Sequence, residues 1–219
     1  VSGSSSVDGY AGTDGSLGAG FDNFNALIGS AFADTLTGPD AVNNWKMTAA
    51  NAGSLNDTLS FASVENLVGN SQSDTLDFSA YASARSVAVS GSSSVDGYAG
   101  TDGSLGVGFD NFNALIGSAF ADTLTGPDAV NIWKMTAANA GSLNDTLSFA
   151  LVENLNGAGM ADEFIFADGV GISGEIDGGP GGSNTLNYNA YSQLNSIVVD
   201  LIAETATGTL HIHNIQHII

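Results

Sequence analysis

The chain has 219 residues, no cysteine, and 23 acids against 3 bases, for a formal charge of −20. So acidic a surface repels nucleic acid and anionic lipid headgroups and opposes polyuronate and sulfated glycans, so these are not expected partners. About a quarter of the residues are Leu, Ile, Val or Phe, enough for a core, while no apolar run has the length of a membrane span and no signal peptide is visible.

From its first residue the chain spells a unit that it later repeats. Residues 1–67 return as 89–155 at an offset of 88, with differences only at Ala19/Val107, Asn44/Ile132 and Ser63/Leu151. Such fidelity over so long a period predicts a fold assembled from stacked copies. Further on, SQSDTLDFSAY (71–81) matches GGSNTLNYNAY (181–191), and SVAV (86–89) matches SIVV (196–199), both at an offset of 110. The difference, 110 − 88 = 22 residues, reads as one structural unit inserted near 162–184. Four such units make the repeat.

Two small motifs recur along the way. One pairs an acid or amide with a small and an apolar residue, as at Asp34-Thr35-Leu36, Asp74-Thr75-Leu76, Asp122-Thr123-Leu124, Asp162-Glu163-Phe164 and Asn184-Thr185-Leu186. The other sets apolar residues three apart before an apolar pair, as in FDNFNALIG (21–29), FASVENLVG (61–69) and IHNIQHII (212–219). With 29 Gly and abundant Asn, Asp and Ser as corner residues, these spacings fit short strands joined at tight turns, and no window keeps a helical period. The expected fold is all-β: a single elongated parallel β-solenoid (β-helix) over 1–219, of about ten coils of roughly 22 residues. Its internal repeats are 1–88 and 89–176, with a third, diverged partial copy at 177–219. Both ends of the sequence fall inside a repeat, which leads to the expectation of a longer array or of end-to-end self-association through open strand edges.

The phrases GSAFADTLTG (29–38), FASVENLVG (61–69), GEIDGGPGGSNTLNY (174–188) and TATG (205–208) resemble the repeats of bacterial haemagglutinin-like and calcium-toxin-like β-solenoid proteins. The resemblance implies an exported protein at the bacterial cell surface, in an adhesion, matrix or surface-layer role. It makes a non-enzymatic structural segment or protomer of a stalk, fibre or filament the expected function. The alternatives are an adhesin segment binding glycan or a cell-surface partner, and a calcium-stabilised surface-layer component.

Calcium is judged on residues. The group's calcium nonapeptide, G-G-x-G-x-D-x-U-x, is best matched by Gly179 to Leu186, where Pro180 replaces a Gly and Asn184 the Asp. Asp34, Asp74, Asp122, Asp162, Asp177 and Asn184 are the calcium candidates, since hard oxygen donors suit that ion. Each reads first as an Asx-turn capping a corner, so no cofactor is required. For a ligand, Trp45-Lys46 and Trp133-Lys134 are the candidates, because an exposed Trp beside Lys can stack on a sugar; the competing reading is a Trp covering a coil inside a long loop. His211, His213 and His217 read as outward groups of a half-buried strand rather than a metal cluster. Carboxylate pairs such as Asp74/Asp77 and Asp162/Glu163 do not single out a cleft for acid–base work, and enzymatic activity is not expected. An ice-binding array would need a regular T-x-T on each coil, whereas TAT occurs once.

Overall fold

A computed structural model describes residues 1–4, 9–93, 95–192 and 194–219. Among these there is no helix, and the structure is built of short strands. β1 (Gly3–Ser4), β2 (Tyr10–Gly12) and β3 (Phe21–Phe24) form a small antiparallel sheet. Thereafter the chain passes back and forth between two large sheets. β4 (Ala26–Ile28) lies in a twelve-stranded sheet and β5 (Thr35–Thr37) in a nine-stranded one. β6 (Asn43–Ala49), β7 (Ala52–Leu55) and β8 (Leu59–Ala62) return to the first as an antiparallel meander. β9 (Asn66–Val68) joins the second sheet and β10 (Asp74–Asp77) the first. β11 (Ser86–Ser92), β12 (Tyr98–Asp102) and β13 (Gly108–Phe112) then make a meander in the second.

The same path is repeated 88 residues on. β14 (Ala114–Ile116), the meander β16 (Ile132–Ala137), β17 (Ala140–Leu143) and β18 (Leu147–Ala150), and β20 (Glu163–Phe166) lie in the first sheet. β15 (Thr123–Thr125) and β19 (Asn154–Asn156) lie in the second. β21 (Glu175–Asp177) and β22 (Thr185–Asn187) add one strand to each sheet. After a small hairpin, β23 (Val199–Asp200) and β24 (Thr205–Ala206), the chain closes with β25 (His211–His213) and β26 (His217–Ile218). In space the larger sheet runs β26-β22-β20-β16-β17-β18-β14-β10-β6-β7-β8-β4, and the smaller β25-β21-β19-β15-β11-β12-β13-β9-β5. Pairing is antiparallel inside the meanders and parallel everywhere else in these two sheets.

Local sequence explains the strands. In Asn43–Ala49 and Leu59–Ala62 every second side chain is buried, so Trp45, Met47, Leu59 and Phe61 point inward and Lys46 and Ser60 outward. Apolar side chains from both large sheets meet in one cluster extending from Tyr10 to Ile212. At the corners, nine of the thirteen non-glycine residues with left-handed backbone among the described residues are Asn or Asp, the residue types whose short side chains tolerate that region.

The register departs from the expectation of about ten coils of roughly 22 residues. Within the repeats, parallel neighbours lie from 31 residues apart (Asn43 beside Asp74) to 42 (Asn66 beside Gly108). From β4 to β14, one 88-residue period, the larger sheet climbs five strand positions through β8, β7, β6 and β10, rather than four. Each meander folds the chain back over two positions, which a count of recurring apolar motifs overlooks. Only the inserted segment has the expected short spacing, with Glu163 beside Thr185 (22 apart) and Leu155 beside Ile176 (21 apart).

Candidate functional site

The acids proposed as ligands sit together in one kind of corner. Asp34, Asp74, Asp122, Asp162 and Asn184 each stand at or just before the first residue of β5, β10, β15, β20 and β22. In three of them a carboxylate oxygen turns back to the residue four earlier: Ser30 N donates to Asp34 Oδ2 at 2.5 Å, Asn70 N to Asp74 Oδ2 at 2.8 Å, and Ser118 N to Asp122 Oδ2 at 2.5 Å. The other oxygen receives donors from the neighbouring level, such as Asn43 Nδ2 on Asp74 Oδ1 at 2.7 Å. Asn131 donates to Asp162 Oδ1 at 2.8 Å through both its N–H and its Nδ2, and Arg85 N donates to Asp122 Oδ1.

The ladder continues through the acids' own N–H groups. Asp74 N donates to Asn113 Oδ1, Asp122 N to Glu153 Oε2, Asp162 N to Asn184 Oδ1 and Asn184 N to Gln216 Oε1. Asp74, Asp122, Asp162 and Asn184 are buried. Carboxylates ringed by N–H donors and closed to solvent are anchored corners, whereas a calcium site gathers oxygens around a space for the ion. Asp177 does similar work, with Oδ1 accepting Gly179 N at 2.8 Å and Asn214 Nδ2 at 2.7 Å. Among the described residues no cluster of three or more His, Asp or Glu is arranged to hold a metal.

The corner depends on a glycine that sequence reading did not connect with the acid. Gly29, Gly69, Gly117 and Gly157 each precede their Asp by five positions. A Cβ on Gly157 would lie 2.2 Å from Asp162 Oδ2, and one on Gly117 would lie 1.8 Å from Leu151 O. The G-x4-D spacing was the available signal. The nonapeptide-like glycines are explained by packing as well: Gly179 has φ +79°, and a Cβ there would lie 1.6 Å from Ala158 O.

Burial raises Asp74 above the ordinary carboxylate range and pushes Asp162 up to about 6. Trp45 Nε1 donates to Asp74 Oδ1 at 3.4 Å. In the second copy that bond is missing, and both Trp133 Nε1 and Asp162 Oδ2 are buried without a partner among the described residues.

The tryptophans are not where a sugar could reach them. Trp45 and Trp133 are fully buried, in β6 and β16 rather than in loops. Trp45 meets Phe61 and Phe112 edge-on, and Trp133 stacks on Phe164 at 6.0 Å. The alternation of W-K-M turns Trp and Met inward and leaves only Lys46 and Lys134 outside, paired with Asp57 at 2.8 Å and Asp145 at 2.6 Å. His211 and His217 are exposed. His213 stands between two carboxylates, with Nε2 3.4 Å from Glu175 and Nδ1 3.2 Å from Glu204. In the paired carboxylates, Asp77 caps Ser79 N at 2.8 Å and Glu163 accepts Asn187 Nδ2 at 2.7 Å, so both are occupied in local structure.

A concavity lies at the end formed by β3, β4 and β5. It is a cavity of about 760 Å³ lined by Leu17, Phe21, Phe24, Leu27, Leu36 and Asp14, among others. The chain matches no protein-family model, no curated protein and no solved structure.

Proposed function

We propose that this chain is a β-solenoid segment whose function is structural: a non-enzymatic part of a stalk, fibre or filament outside a bacterial cell. The observation that carries the reading is how the candidate side chains are used. The buried acids bind backbone N–H groups at corners, the tryptophans fill the core, and the near-identical 67-residue stretches reproduce the same strand path at a second place along the stack. What such duplication multiplies is length and surface. The likeness to haemagglutinin-like and calcium-toxin-like repeats supplies the extracellular setting of the proposal.

Negative-stain imaging of the purified chain tests it. With twelve strands in the larger sheet and about 4.8 Å per strand, each unit should be a rod on the order of 55 Å long. Joining of such rods into fibres supports the filament form; round particles would end the proposal.

A further inference from the structure

FDNFNALIG occurs twice with one sequence and two surroundings. In the second copy β13 pairs with β9 and β14 with β10, so that Phe109 lies beside Leu67 and Leu115 beside Leu76. Leu105 and Phe112 there are 4% and 1% exposed. Only about 10 Å³ of space is left among Leu76, Val87, Val89, Phe109, Phe112 and their neighbours. In the first copy β3 and β4 are edge strands. The counterparts Leu17 and Phe24 are 49% and 52% exposed, and the 10 Å³ gap becomes the cavity of about 760 Å³.

A charge is missing as well as apolar cover. Arg85, the sole arginine, is held against Asp102 by Nε at 3.1 Å and Nη2 at 2.7 and 2.9 Å, and its guanidinium lies 4.1 Å over the Tyr81 ring. Asp14 is the counterpart of Asp102 and lines the open cavity. It is exposed, accepts Ser16 N at 2.8 Å, and makes no ion pair among the described residues.

We propose that the β3–β4 face is a docking site for another copy of the 88-residue unit, which covers it with its own counterparts of Leu67, Leu76, Arg85 and Val87. The inference rests on the array reading above and specifies the joint that such an array uses. A whole second chain fits less well. Its Arg85 is already engaged by its own Asp102, and the free edges at its far end, β25 and β26, offer His211 to His213 and His217 to Ile218 and no Lys or Arg.

The test extends the full chain at its N-terminus with residues 1–88 and places one thiol, Leu17→Cys, in the original first copy of a chain that otherwise has no cysteine. A thiol reagent should label the unextended Leu17→Cys chain as an exposed site. The extension should slow that labelling at least about tenfold. An extension carrying Leu76→Asp and Arg85→Glu should restore the fast rate. Unchanged labelling in the extended chain overturns the proposal, whether or not the extension folds. Protection that grows with the concentration of the unextended chain assigns the face to a whole second molecule and also overturns it. Imaging separates the two ideas: a shielded thiol in chains that form no rods keeps the joint and removes the structural role, and rods with a reactive thiol do the reverse.

Discussion

Asp74 and Asp162 occupy the same corner 88 residues apart, and they differ in their partners: Asp74 accepts Asn70 N and the Trp45 indole, whereas Asp162 Oδ2 and the Trp133 indole have no partner among the described residues and Asp162 also feels the charge of Asp128. A carboxyl whose folded pKa is raised stabilises the fold fully below its unfolded pKa, near 4, and loses that contribution as pH rises through the folded value. For Asp162 the loss therefore falls between about pH 4 and 6. With solvent screening it is on the order of 1–2 kcal/mol. Asp162→Asn should raise the melting temperature at pH 7.5 by about 2–6 °C and flatten its dependence on pH between 4 and 7. Scanning calorimetry across that range checks this, and an unshifted, equally steep profile would remove Asp162 as the cause. Asn184, which holds the matching corner in the inserted turn, shows that an amide fits there. The glycine of the corner is equally constrained. Gly157→Ala should cost about 2–4 kcal/mol in urea unfolding, since the added methyl meets a buried carboxylate. The acid was visible in the sequence as D-T-L, but its partner glycine lies on the far side of a turn, so their contact depends on how the chain folds back.

The strands themselves follow from alternation, yet their neighbours do not. The W-K-M-T-A stretch, its Asn51 turn and the Asn56-Asp57 turn build a three-stranded meander. The spacing of apolar motifs gave no sign that this meander fills two extra levels of the sheet. The same limit appears at β3 and β13, where identical sequence gives an exposed Phe24 and a buried Phe112. Phe112→Ala should cost about 3–5 kcal/mol and Phe24→Ala no more than about 1 kcal/mol. Denaturant unfolding of the two variants checks the pair; equal losses would mean that both rings are covered in solution.

At the scale of the molecule, two sheets sharing one core carry a formal charge of −20. Self-repulsion of that size predicts that, if rods join into the filament form, the joining strengthens as salt screens it, which light scattering from about 0.02 to 0.5 M salt will read. Because the corner acids are met by N–H donors, melting in excess chelator should leave the transition where it is. A fall of more than about 3 °C would give those corners to calcium. The sequence alone determined that the chain is all-β, that it is periodic, and which residue types make its corners. These are set by local backbone preference and by side-chain alternation. Only the tertiary structure decided that the repeat climbs five strand positions, that both tryptophans are core, and that one copy of an identical face is covered while the other is open. Pairing partners and burial depend on residues 31 to 42 positions away, and a local pattern does not encode what lies across that distance.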